Sequence, residues 1–268
     1  MDKKILVLDL DGTLTNDKKE ITPKTKQRIM EAQEMGHRIV LATGRPTPGV
    51  ASIRKELELD RYHGMALVYN GGKIIDCATD EVLYQKVLPE EMVTELFRKA
   101  DELQIGMLTY NTKGIIANMH ADEFVDVEAK INHLDVVQTD DIKAMMDFDV
   151  NKCLGTAPVD IAPDIEKEFA KEFGDRINVG RSAPFFIELT PKGVDKAASL
   201  EKLCQILECS KDDMIACGDG FNDVSMIQFA GIGVAMANAE EPVKEAADYI
   251  TYSNEEDGIA HVIEKFML

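Results

Sequence analysis

Asp9 and Asp11 stand two residues apart, directly after the apolar run Ile5-Leu6-Val7-Leu8. Gly12 permits a sharp turn after them, and Thr13 is expected to cap the next segment. Two carboxylates this close repel each other unless something positive lies between them, and a hard divalent cation with oxygen ligands is the usual answer. Three other stretches could handle further negative charge. Thr43-Gly44 offers a hydroxyl and an uncrowded N–H, and Lys192 and Lys196 offer ammonium groups. Gly218-Asp219-Gly220-Phe221-Asn222-Asp223 offers an amide and two more carboxylates. Taken singly, these are a turn, surface lysines and a loop.

Their elements bring them together. The runs 5–8, 39–42, 66–69 and 214–217 read as strands buried on both faces, as a parallel sheet requires. Helices are expected at 23–35, 50–57, 194–207, 222–229 and 258–266. The first has Thr22 as N-cap, Pro23 in its first turn and Gly36 after its end. Short strands at 231–236 and 247–251 continue the alternation. This pattern predicts an α/β fold with a doubly wound parallel sheet. The carboxyl ends of such strands share one edge, where open α/β sheets bind ligands. Asp9, Asp11, Thr43, Gly44, Asp219, Asn222 and Asp223 would then converge on one pocket.

Between 73 and 189 the rhythm changes. Strands are expected near 106–110, 114–118, 151–155, 176–179 and 185–189, with helices near 89–103, 122–132, 140–146 and 163–173. This reads as an α+β domain, 83–188, inserted into a discontinuous core, 1–82 and 189–268.

In order, Asp9-Leu10-Asp11-Gly12-Thr13, Thr43-Gly44-Arg45, Lys196 and Gly218-Asp219-Gly220-Phe221-Asn222-Asp223 resemble the four motifs of the haloacid dehalogenase (HAD) superfamily. Gly233-Val234-Ala235-Met236 with Asn238-Ala239 is similar to the tail of its Cof-type subfamily. The resemblance extends over the whole chain and is nearest to bacterial sugar-phosphatase members, with 182–188 as weaker support. It implies a HAD-like core carrying a type II α/β cap, and Mg²⁺-dependent hydrolysis of small phosphomonoesters. Asp9 would be the nucleophile that forms an aspartyl phosphate, and Asp11 the general acid and then base. Mg²⁺ would be held by Asp9, Asp219 and the backbone carbonyl of Asp11, with Asp223 ordering its waters from behind. Thr43, Gly44, Lys196 and Asn222 would bind phosphoryl oxygens. The family's lysine opens a helix, which points to Lys196, with Lys192 as the alternative; many members have Gly next, where this chain has Ala197. Arg45, Asn70 and Arg181 are candidates for contacting the leaving group, beneath a cap expected to close.

With 30 basic and 49 acidic residues the net charge is −19, which argues against nucleic acid and anionic membranes as partners. No apolar stretch approaches the roughly twenty residues that span a bilayer. The five cysteines are scattered without a CxxC pair, and the first residues show no signal-peptide pattern, so a reduced, cytoplasmic setting is expected. The expected partner is a small phosphorylated metabolite, and the chain itself is expected to be a monomer or weak homodimer. Two other readings share parts of this set. A receiver domain also uses Asp, Mg²⁺, Thr and Lys on such a sheet, but is much shorter and lacks the paired acid. A phosphomutase shares the core and lysine, but returns phosphate to a sugar rather than to water.

Overall fold

The computed structural model describes residues 3–268. The chain begins with β1 (Ile5–Leu8), α1 (Pro23–Glu34), β2 (Arg38–Ala42), α2 (Ala51–Glu56), β3 (Met65–Val68), β4 (Lys73–Asp76) and β5 (Val82–Gln85). It continues through α3 (Glu90–Leu103), β6 (Gly106–Tyr110), β7 (Gly114–Ala117), α4 (Glu123–Asn132), β8 (Asp135–Gln138), α5 (Ile142–Met145) and β9 (Cys153–Thr156). Next come α6 (Ala162–Phe173), β10 (Ile177–Ala183), β11 (Phe186–Pro191) and α7 (Lys196–Leu207). It ends with β12 (Met214–Gly218), α8 (Val224–Phe229), β13 (Ile232–Ala235), α9 (Glu241–Ala246), β14 (Tyr249–Ile250) and α10 (Gly258–Phe266). Internal packing divides it into two units. One holds the chain up to Gly44, Ser52–Tyr84 and Asp195–Leu268; the other holds Arg45–Ala51 and Gln85–Val194.

The first unit is built on an eight-stranded sheet in the order β14-β13-β12-β1-β2-β3-β4-β5. Pairing is parallel from β14 to β3, and β4 returns antiparallel to β3. Every side chain of β1, β3 and β12 is buried, the reason these runs are apolar without alternation. The chain winds outward from β1 in one direction through β2 and β3, and later from β12 in the other through β13 and β14. The sheet therefore reverses direction beside β1, which makes the ends of β1 and β12 its switch point. The register fixes the depth of that edge, because Leu8 pairs with Cys217 on one side and Leu41 on the other. Helix α1 starts as expected: the Thr25 N–H donates to the Thr22 hydroxyl at 3.3 Å, and Pro23 sits in the first turn. Helix α7 begins at Lys196, not at 194. Asp195 has extended backbone there and its carboxylate caps the helix, accepting from the Ala198 N–H at 2.9 Å.

The second unit has a six-stranded sheet in the order β10-β11-β9-β6-β7-β8. It is antiparallel apart from the β7–β8 pair. Helices α3 and α6 supply Leu96, Phe97, Phe169 and Phe173 to a core completed by Met107, Cys153, Ile187 and Leu189 of the sheet. Strand β8 is absent from the sequence reading for a physical reason. It is a short edge strand of sequence Asp-Val-Val-Gln with mostly exposed side chains, so it has no buried face to announce it.

No described helix is long and apolar enough to cross a membrane. All five cysteines are free, and Cys217 is the buried small hydrophobe expected of a central strand, its thiol pushed well up by burial.

Phe169 is fully buried in the core of the second unit. Phe169→Ala should lower the stability of that unit by about 3–5 kcal/mol in urea unfolding. A loss under about 1 kcal/mol would mean that this core is not packed as described.

Candidate active site

The switch point carries the chemistry. One residue beyond β1, the Asp9 N–H still donates to the Cys217 carbonyl at 3.0 Å, so the nucleophile candidate extends the ladder by one step. Asp219 follows β12 directly on one side, and Thr43 follows β2 on the other. The Thr43 N–H in turn donates to the Leu67 carbonyl of β3 at 2.9 Å. Backbone bonds thus place strand ends that are far apart in sequence at one sheet edge.

Lys196 reaches this edge from the first residue of α7. Its ammonium is buried, 2.7 Å from an Asp9 carboxylate oxygen and 2.5 Å from Asp223 Oδ1. The other Asp223 oxygen accepts from the N–H groups of Asp219 and Gly220, both at 2.9 Å. Asp223 therefore fixes the loop carrying Asp219 and the lysine facing Asp9 at the same time. Lys192 is placed elsewhere: it lies in the second unit, with its carbonyl accepting from the Lys86 ammonium. Of the two lysines, Lys196 is the one brought to Asp9.

Three carboxylates, Asp9, Asp219 and Asp223, present oxygens within 4.8 Å of one another. One ammonium cannot neutralise three such charges. Burial, with Asp223 and Asp219 adding to it against the opposing pull of Lys196, pushes the Asp9 carboxyl up to about 8. Burial also pushes Asp219 up to about 6, against the opposing hydrogen bond from Thr13. The site is short of positive charge, and a divalent cation would supply it. Both oxygens of Asp223 are engaged, so Asp9 and Asp219 are the carboxylates fit to ligate it, with Asp223 behind them.

The loop after β1 is held from three sides. Thr13 does not cap a helix; its hydroxyl donates to Asp219 Oδ1 at 2.7 Å. Gly12 has φ +87°, and a Cβ there would run into the Asp219 carboxylate, so only glycine lets the two loops approach. Asn238 donates to the Gly12 carbonyl at 2.8 Å and accepts from the Asn254 N–H at 3.0 Å. Asn254 in turn donates to the Thr15 carbonyl at 3.1 Å. Asp11 turns toward Lys19 at 2.8 Å, a half-exposed pair of the kind worth little, so its carboxylate can change partners.

The remaining candidates divide. Asn222 donates to Asn70 Oδ1 at 3.0 Å, which places both at this edge. Arg45 and Arg181 belong to the second unit, where Arg45 donates to the Gly49 carbonyl at 3.4 Å and Arg181 pairs with Glu166 at 2.7 Å. In the sequence Thr13 belongs to the first motif but reads as a cap, and Asn238 belongs to the Asn238-Ala239 pair of the tail, whereas nothing there signals the supporting roles of Lys19 and Asn254.

This architecture has known counterparts. A family model described as haloacid dehalogenase-like hydrolase matches residues 6–263. The chain is 29% identical to the 5-amino-6-(5-phospho-D-ribitylamino)uracil phosphatase YcsE of Bacillus subtilis, over 100% of this chain and 97% of that one. It superposes on a solved haloacid dehalogenase-like hydrolase from Bacteroides thetaiotaomicron with a TM-score of 0.94 and 44% identity, covering 98% and 99% of the two chains. It is also similar to a HAD subclass IIB sugar phosphatase, BT4131, with a TM-score of 0.84 and 27% identity, covering 98% and 99%.

The raised carboxyls have a consequence for stability. A carboxyl whose folded pKa lies above its unfolded value binds its proton more tightly in the folded chain. That stabilisation is present below the unfolded value near 4 and is lost as pH rises through about 6 for Asp219 and about 8 for Asp9. In chelator, Asp219→Asn should therefore melt above the native protein at pH 8, by about 2–5 °C, with the gap closing toward pH 5. Differential scanning at several pH values checks this; a gap independent of pH would contradict the charge shortage.

Proposed function

The chain belongs to the haloacid dehalogenase-like hydrolases, and from that premise we propose that it is a Mg²⁺-dependent phosphomonoesterase working through an aspartyl phosphate. The proposed substrates are small phosphorylated metabolites, sugar phosphates foremost. One observation carries the reading: a buried lysine joins Asp9 to Asp223, with Asp219 on the neighbouring strand end. The named phosphatase relatives support the reaction class, and the sugar-phosphatase neighbour supports the substrate class.

Each residue then has a task. Asp9 attacks phosphorus while the bond to the leaving oxygen breaks, and Asp11 gives that oxygen a proton. Asp11 then takes a proton from the water that hydrolyses the aspartyl phosphate, which restores Asp9 and releases inorganic phosphate. Lys196 holds the Asp9 carboxylate in position and offsets charge that builds on the phosphoryl oxygens. The Thr43 hydroxyl, the Gly44 N–H and the Asn222 amide bind those oxygens. Asp9, Asp219 and the Asp11 carbonyl would hold Mg²⁺, which when bound would supply the positive charge that lets an anionic nucleophile approach an anionic phosphate. Asp223 keeps Lys196 and the Asp219 loop in place.

With p-nitrophenyl phosphate, Asp9→Asn and Asp11→Asn should each lower turnover by about 10³-fold or more without lowering the melting temperature. Chelator should stop phosphate release and Mg²⁺ should restore it. Near-native turnover by a deamidation-free Asp9→Asn protein would rule out this nucleophile, and full activity in excess chelator would rule out the cation.

A further inference from the structure

The turn between β3 and β4 carries an oddity that the reaction scheme does not use. Tyr69 and Asn70 have φ of +55° and +56°, so two consecutive residues other than glycine occupy the left-handed region. Part of this is explained by the hairpin itself. Val68 pairs with Lys73 across the turn, and left-handed residues suit the twist of an antiparallel hairpin. Asn tolerates the region, but a bulky, buried Tyr does so at a cost, and such strain concentrates where a site depends on it.

The hairpin does not explain where the Asn70 side chain goes. Its amide oxygen accepts from Asn222 Nδ2 at 3.0 Å. Its backbone N–H donates to the Thr43 carbonyl at 2.9 Å. The same amide lies over Gly44, where a Cβ would come within 3.1 Å of Asn70 Oδ1. One residue therefore touches the loop after β2 and the loop after β12, the two loops assigned to the phosphoryl oxygens. The strand order places β1 between those loops, so they share no backbone ladder.

We propose that Asn70 is a positioning residue that, from a turn docked on the loop after β2, orients the Asn222 amide on the loop after β12. The inference rests on the reading of Asn222 as a phosphate donor. It gives the left-handed turn a purpose, because the backbone at 69–70 turns the amide toward Asn222. The Asn70–Asn222 bond is solvent-exposed, so it contributes little to folding and its value lies in orientation.

Glycine adopts the same backbone without a side chain, so Asn70→Gly separates the turn from the amide. The test compares Asn70→Gly, Asn222→Ala and the double variant. It reads kcat and KM with p-nitrophenyl phosphate, and the rise in melting temperature produced by inorganic phosphate in Mg²⁺. Asn70→Gly should keep the native melting temperature, lose about tenfold in kcat/KM and show a weaker phosphate-induced rise. The double variant should be no worse than Asn222→Ala alone, because Asn70 acts through Asn222. Native kinetics and phosphate response in Asn70→Gly, beside an impaired Asn222→Ala, would overturn the positioning role and leave the phosphate-donor reading intact. Losses that multiply in the double variant would also overturn it. An unimpaired Asn222→Ala would remove the donor reading and this inference with it.

Discussion

A buried ammonium with one carboxylate on each side is the contact on which the rest of this site depends. Lys196 is fully buried, and an unpaired charge there would cost several kcal/mol. Asp9 and Asp223 make the burial tolerable, and in doing so they tie three distant parts of the chain together. Asp9 belongs to the end of β1, Asp223 to the turn before α8, and Lys196 to the start of α7. The sheet alone would bring the first two near each other. The lysine sets their distance and the direction of their carboxylates.

The arrangement stabilises itself poorly, which suits its use. Three carboxylates share one ammonium, and Asp9 and Asp219 are pushed toward their neutral forms. A divalent cation would correct the imbalance that neither the sheet nor Lys196 corrects. The loop after β1 is fixed largely by neutral donors, while the Asp223 carboxylate holds the loop of Asp219. Thr13 bonds Asp219, Asn238 bonds the Gly12 carbonyl, and Asn254 bonds both the Thr15 carbonyl and Asn238.

Much of this was legible in the sequence. The strands that carry the site are buried on both faces, so 5–8, 39–42 and 214–217 could be nothing but apolar runs ending in polar residues. Lys196 follows from the family resemblance, whose lysine opens a helix, and the structure shows why it does so here: Lys196 is the first helical residue, with the Asp195 carboxylate as N-cap. What stayed hidden depends on contacts without a local pattern. The Thr13 hydroxyl finds its acceptor at Asp219, and nothing near Thr13 announces that. Asn70 looked like a group for the leaving end of a substrate, yet its amide is engaged by Asn222. Arg45–Ala51 packs with the second unit although it follows a strand of the first, and β8 has no apolar face to read.

The claim that the Lys196–Asp223 contact organises the site is tested most directly by a double-mutant cycle in stability. Lys196→Met, Asp223→Asn and the double variant would be unfolded in urea with chelator present, away from any effect of substrate. Lys196→Met alone should cost about 3–5 kcal/mol, because it strands buried carboxylates. The double variant should recover about 2 kcal/mol or more of the summed single losses. Single losses that simply add in the double variant would contradict the claim, since the two residues would then contribute independently.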